Sequence, residues 1–269
     1  MALEYLIHLA RLGAADIHPG GRQASVAMLR ALDIRPGQRL LEFGCGTAGT
    51  LQRVGLRGPR HAVGLDLLPQ MLKQAQRRVR GAGMDGRVSL VQGSALRIPF
   101  AAEVFDAVFC ESVLGFQRTP VLRAMLAEIR RVLRPGGRFV ANEGIWKAAV
   151  DDATARAVNT ACQRDFGMRQ ATESAWHVDD WQRELGAAGF EVRSCERLGP
   201  PAAATPARWP DRLRRWLPAS EIPGTLAGRI SPRSLWERLH YRRLLASYRP
   251  LSVHVEGRLF VAVRPAAEG

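Results

Sequence analysis

The residues best suited to chemistry gather around one glycine-rich turn. Leu40-Leu41-Glu42-Phe43-Gly44-Cys45-Gly46-Thr47-Ala48-Gly49 reads as a strand running into a glycine loop and then a helix. Gly44 and Gly46 permit a tight turn and a close backbone approach to a ligand above the strand ends, where open α/β sheets bind their ligands. Taken literally, Gly44, Gly46 and Gly49 spell Gly-x-Gly-x-x-Gly, with Asp66 about 20 residues further on, which suits a dinucleotide. Glu42 argues against that ligand. Two residues before the loop, its carboxylate would lie near the place of a pyrophosphate, and like charges repel. The loop favours a cationic nucleoside over NAD.

The elements that must hold this turn follow from the apolar pattern. Short apolar runs near 39–43, 61–65, 88–92, 105–110 and 138–142 alternate with helical patterns, as in parallel strands joined by crossover helices. The clearest helix is 120–133, where Val121, Met125, Ile129 and Val132 recur at helical spacing. Arg134-Pro135-Gly136-Gly137 ends it, with Gly136 or Gly137 expected at the C-cap because either can adopt a positive φ. A helix at 179–189 and a strand at 190–196 follow. Residues 251–263 alternate in polarity and predict a bent strand or a hairpin about Glu256 and Gly257. Residues 1–35 read as a helical extension broken at His18-Pro19-Gly20-Gly21.

Composition narrows the class. The chain has 269 residues, 46% hydrophobic and 24% charged, which disfavours disorder, and no apolar run reaches the roughly 20 residues of a membrane-spanning helix. With Glu4 in place of a basic signal-peptide start, the sequence predicts a cytoplasmic protein. Cys45, Cys110, Cys162 and Cys195 are widely spaced and make no metal-ligand pattern, so buried, reduced thiols and no metal are expected. The net charge of +14 comes almost wholly from Arg, since only Lys73 and Lys147 are lysines. Residues 199–250 carry ten Arg against Asp211, Glu221 and Glu237. Two basic amphipathic patterns are read there, one with Trp209, Leu213, Trp216 and Leu217 on a face, the other with Trp236, Leu239, His240, Leu244 and Tyr248.

Taken in order, the motifs resemble the class I S-adenosylmethionine-dependent methyltransferases, in particular the small-molecule branch. They are Leu41 to Thr47; Val63-Gly64-Leu65-Asp66 with Met71-Leu72; Gly93-Ser94-Ala95; Phe105-Asp106-Ala107-Val108; and Glu128 to Gly137. The resemblance implies a doubly wound, seven-stranded, mostly parallel Rossmann-like α/β sheet. Residues 36–198 and 251–269 would form the cofactor-binding core, residues 1–35 a helical lid, and residues 199–250 a basic helical insertion before the last strand. It implies S-adenosyl-L-methionine as cofactor, with the Gly44-Cys45-Gly46 backbone along its methionine end and Glu42 on its amino group. Asp66 would take both ribose hydroxyls, and Leu67 and Met71 would flank the adenine. Ser94 and Ala95 would lie beside that ring, and Glu111 to Val113 would close the pocket near the methionine. Ser94 stands where the family commonly has Asp, so the bond to the adenine amino group should be weaker.

Methyl transfer needs little acid-base machinery, because the sulfonium is already activated. Candidate catalytic residues are His18 and Glu143, and candidate substrate contacts are His18 and Trp146. The reading is methylation of O, N or C on a small metabolite, hydrophobic or anionic given the Trp-rich, Arg-fringed insertion. Alternatives are a membrane lipid or prenylated quinone reached through peripheral contact, RNA, which the helical period of the aromatic residues disfavours, and a cofactor-binding protein without catalysis.

Overall fold

The computed structural model describes residues 6–199, apart from 8, 12 and 17, and residues 251–266. The amphipathic patterns expected within 200–250 lie outside the described residues. In chain order the elements are α1 (Gly21–Leu32), β1 (Arg39–Phe43), α2 (Gly49–Gly55), β2 (His61–Asp66), α3 (Pro69–Gly81), β3 (Val88–Gln92) and β4 (Phe105–Glu111). They continue with α4 (Thr119–Val132), β5 (Leu133–Trp146), α5 (Asp152–Phe166), α6 (Val178–Ala187), β6 (Glu191–Arg197) and β7 (Val255–Val263).

The central strands β1, β2 and β4 are buried along nearly their whole length, so both faces of the sheet must be covered by helices. Successive side chains alternate between two cores. Leu41, Phe43, Val108 and Cys110 pack with Leu122, Ile129, Trp181 and Leu185 from α4 and α6. Leu40, Ala107 and Phe109 pack with Met28, Leu51, Val54, Ala75 and Val79 from α1, α2 and α3.

The seven strands form one sheet in the order β3-β2-β1-β4-β5-β7-β6. Pairings through β5 are parallel, while β7 runs antiparallel to both β5 and β6. The chain winds outward from β1 through β2 to β3, then returns to lay β4 on the other side of β1. That reversal opens a crevice above the carboxyl ends of β1 and β4, the usual ligand position in such sheets.

One sequence expectation is corrected, and another is decided between its two alternatives. The helix before Arg134 stops at Val132, capped by Leu133 in extended backbone, and no glycine caps it. Gly136 does adopt a positive φ of 73°, but within β5, where the register shifts between Phe105 and Ala107 of β4. The chain end forms no hairpin at Gly257: residues 255–263 are a single strand, with Gly257 opposite Gly144 of β5. A Cβ on Gly257 would stand 2.7 Å from Pro19 Cβ. The glycine is there to let the N-terminal segment cross the strand closely, a contact across the whole chain that no local pattern reveals.

Candidate active site

The glycine loop after β1 turns through left-handed backbone at Gly44 (φ 65°), Gly46 (φ 53°) and Ala48 (φ 62°). Asp66, at the end of β2, holds this turn. Its Oδ2 accepts from the Gly46 N–H at 2.8 Å and its Oδ1 from the Leu68 N–H at 2.8 Å. Burial raises the Asp66 carboxyl, and these backbone donors pull it back. Each oxygen keeps a second lone pair for a ligand hydroxyl.

Glu42 is buried, and its Oε2 has no hydrogen-bond partner. Burial, followed by the charges of Glu111 and Asp66, pushes its carboxyl well above the usual range. A buried acid with one oxygen unpartnered beside two further carboxylates is a costly arrangement.

Glu111 ends β4 in a polar cluster. Its Oε1 accepts from Thr50 Oγ1 at 2.5 Å, and its Oε2 from Asn142 Nδ2 at 3.0 Å and from His18 Nε2 at 3.1 Å. The Asn142 amide nitrogen also lies 2.9 Å from His18 Nδ1. The same amide nitrogen donates to Pro19 O at 3.2 Å, an oxygen that lies 3.4 Å from Nδ1.

Residues 13–16 run along the outside of the glycine loop, and residues 18–21 lie across the strand ends. The Thr47 hydroxyl donates to Ala14 O at 2.7 Å, Arg78 donates to Thr47 Oγ1 and Gly13 O at 3.0 Å each, and Arg53 grips Asp16 with bonds of 2.5 and 2.7 Å. Burial raises the Asp16 carboxyl, but the bonds and charge of Arg53 outweigh it and hold the group below its ordinary value.

The remaining expected residues fall into two groups. Leu67 is 63% exposed at the rim after β2, and Ser94 accepts from the Leu96 N–H at 3.2 Å in its own turn. Ala95 packs against the core beneath, and Val113 faces Gly44, where an added Cβ would collide with it. Cys45 is buried with its thiol pushed up by burial, and Met71 packs beneath Leu9, Ala10 and Ala14.

Two candidates belong elsewhere. Trp146 is only 1% exposed, its indole N–H bonded to Thr172 O at 3.0 Å, within a separate cluster formed with α5. It supports that cluster and does not face the crevice. Glu143 is fully buried, with backbone N–H groups of the loop after β4 on both carboxylate oxygens. Fully buried and turned onto these amides, it anchors that loop and has no exposed oxygen with which to act as a base toward a substrate.

The sequence reading passed over Asp16, Ser25, Thr50, Arg53 and Asn142. Thr50 lies one turn past the glycine loop and could have been flagged as facing it. The others meet the site only through contacts distant in sequence. Among the described residues no group of His, Cys, Asp and Glu is placed to hold a metal ion, and no helix is long and apolar enough to cross a membrane.

Fold and site together define an open α/β protein with three carboxylates, Glu42, Asp66 and Glu111, gathered at the switch point between β1 and β4. Residues 40–137 match the family described as a methyltransferase domain. An uncharacterized methyltransferase of Bacillus subtilis, YodH, is 34% identical over 198 residues, covering 73% of this chain and 78% of that protein. The chain belongs to the S-adenosylmethionine-dependent methyltransferase family.

Methyltransferase phqN of Penicillium fellutanum is 30% identical over 170 residues, covering 62% of this chain and 50% of its own length. Sterol 24-C-methyltransferase ERG6B of Gibberella zeae is 29% identical over 182 residues, covering 66% and 46%. The chain thus spans about half the length of these two relatives. Among solved structures, the [4+2]-cyclase SpnF superposes with a TM-score of 0.69 at 19% identity, covering 99% of this chain and 93% of SpnF. Geranyl diphosphate C-methyltransferase from Streptomyces coelicolor, solved with S-adenosyl-L-homocysteine, superposes at 0.61 with 16% identity, covering 90% and 78%. A cyclase on the same fold shows that fold alone does not fix the reaction; the sequence relatives carry that assignment.

Proposed function

We propose that the chain binds S-adenosyl-L-methionine across the carboxyl ends of β1, β2 and β4 and transfers its methyl group to O, N or C of a small organic metabolite. The observation that carries this reading is the unpartnered Oε2 of Glu42, buried beside the left-handed Gly44–Gly46 turn. An ammonium group supplies the missing donor, and the surrounding negative charge suits a sulfonium. A pyrophosphate would meet three carboxylates instead.

When bound, this cofactor supplies a methyl group already activated for in-line displacement. The chain's own work is to bind, orient and exclude water. Glu42 takes the amino group, the Gly44-Cys45-Gly46 backbone lines the methionine, and Asp66 takes the ribose hydroxyls. Leu67, Met71, Ser94 and Ala95 surround the adenine, and Glu111 and Val113 close the methionine end. Where the acceptor loses a proton on methylation, His18, at the ends of the strands beside Glu111, is the group assigned to receive it.

A small-molecule acceptor is supported by relatives and neighbours named for sterol and geranyl diphosphate methylation. Calorimetry with S-adenosylhomocysteine, followed by an intact-mass screen over small metabolites, prenylated quinones, RNA and protein, tests the reading. Binding together with a mass gain of one methyl group on small metabolites is expected. Methylation confined to RNA or protein would overturn the acceptor class.

A further inference from the structure

Glu143 sits on β5, beyond the crevice, and yet bears on its shape. Its Oε1 accepts the N–H groups of Val113 at 3.1 Å and Leu114 at 3.0 Å, and its Oε2 accepts that of Gly115 at 3.0 Å. The Cys110 thiol adds a fourth donor at 3.5 Å. Three consecutive amides converging on one carboxylate fix the path of the loop that follows β4. The loop needs such an anchor, because Ser112 is held in left-handed backbone at φ 55°, a conformation that a non-glycine residue keeps only when its surroundings enforce it. The consequence falls on the glycine turn. Val113 is pressed against Gly44 so closely that no side chain fits at that position.

We propose that Glu143 is a positioning residue, which holds Val113 against Gly44 and so sets the width of the pocket at the methionine end of the cofactor. The proposal rests on the S-adenosylmethionine reading above. It separates the two ends of the ligand: the adenosine end lies over β2 and β3, away from the anchored loop, while the amino-acid end lies beside the Gly44–Val113 contact.

Two probes test this separation. S-adenosylhomocysteine carries both ends, whereas 5′-methylthioadenosine carries the adenosine and lacks the amino-acid part. Each is titrated calorimetrically into the wild type and Glu143→Gln. The variant is expected to lose at least roughly tenfold in affinity for S-adenosylhomocysteine, the effect of one hydrogen-bonded contact, and less than about twofold for methylthioadenosine. Equal losses for both probes, or no loss for either, would show a merely structural role and overturn the proposal.

If Glu143→Gln does not fold, Gly115→Ala provides the same comparison. Its added methyl would stand 3.3 Å from Glu143 Oε2 and 3.2 Å from Gly144 O, forcing the loop off its anchor without changing any charge. The same selective loss is expected, and equal or absent losses again count against the role. A wild type that binds neither probe sinks the cofactor reading and this proposal with it. Equal losses in variants of a wild type that binds both sink only the positioning role.

Discussion

Glu42 and Glu143 are both buried carboxylates at the carboxyl ends of central strands, and they are used in opposite ways. Glu143 has every oxygen engaged by donors from its own chain, while Glu42 keeps one oxygen with no partner at all. Their environments account for the difference. The loop after β4 turns its amides inward onto Glu143. The loop after β1 turns through left-handed residues, and its Gly46 amide goes to Asp66. The acid that the protein satisfies is part of the architecture, whereas the one that keeps an oxygen unpartnered is the one proposed above to meet the ligand's ammonium.

The comparison can be broken most forcefully at Glu143. Replacing it with Ala strands three backbone donors, and unfolding in urea should show a loss of at least about 3 kcal/mol. A loss below about 1 kcal/mol would remove the architectural half of the contrast. At Glu42 the expected pattern is reversed. Glu42→Gln replaces a buried carboxyl whose Oε2 has no partner, so the melting temperature should hold, while S-adenosylhomocysteine affinity falls roughly 10- to 100-fold, the range for a hydrogen bond to a charged group. Unchanged affinity with a lower melting temperature would make Glu42 another anchor.

Asp66 combines both uses, since it already holds the Gly46 and Leu68 amides. Asp66→Ala should therefore weaken S-adenosylhomocysteine binding far more than Ser94→Ala, whose hydroxyl serves its own turn. Calorimetry giving the reverse order would displace the adenine from the position assigned to it.

A smaller effect is expected at the segment crossing the glycine loop. Asp16→Asn should cost about 1–2 kcal/mol by leaving Arg53 without its bidentate partner. The Asp16 carboxyl is lowered in the folded protein, so its stabilisation is complete above the usual carboxylate range and fades as pH falls through the lowered value. The gap between the two proteins in urea unfolding should begin to narrow at about pH 4 and go on narrowing as the pH falls further. A gap that stays constant there would deny the ion pair its role.

The strands that position the site were legible because their apolar runs are local. β1 and β3 fall where the sequence placed them, and β2 and β4 differ at one end by a single residue. The glycine loop, Glu42 and Asp66 were legible for the same reason, since loop, carboxylate and strand end lie within one strand-turn-helix unit and its neighbour. What escaped depends on distant contacts. Gly257 reads as a turn residue until Pro19 is placed over it. Glu143 reads as a base until the amides of residues 113–115 are brought to it. Trp146 lies at the end of β5, as a substrate contact would, but faces α5 because the strand continues farther than its apolar core suggests. Residue type announced that these positions mattered, and only the fold showed to what they were bonded.

The central claim is that Glu42 waits for a cation. Burial and its acidic neighbours raise its carboxyl in the free protein, and a bound ammonium would favour the ionised form, so binding should release protons and strengthen as pH rises between the free and bound values. Calorimetric titration of the wild type and Glu42→Gln with S-adenosylhomocysteine, in buffers of different ionisation enthalpy, measures this directly. The wild type should release up to about one proton per ligand bound and Glu42→Gln close to none; tight binding to the wild type with no proton released, or equal release from both proteins, would contradict the account.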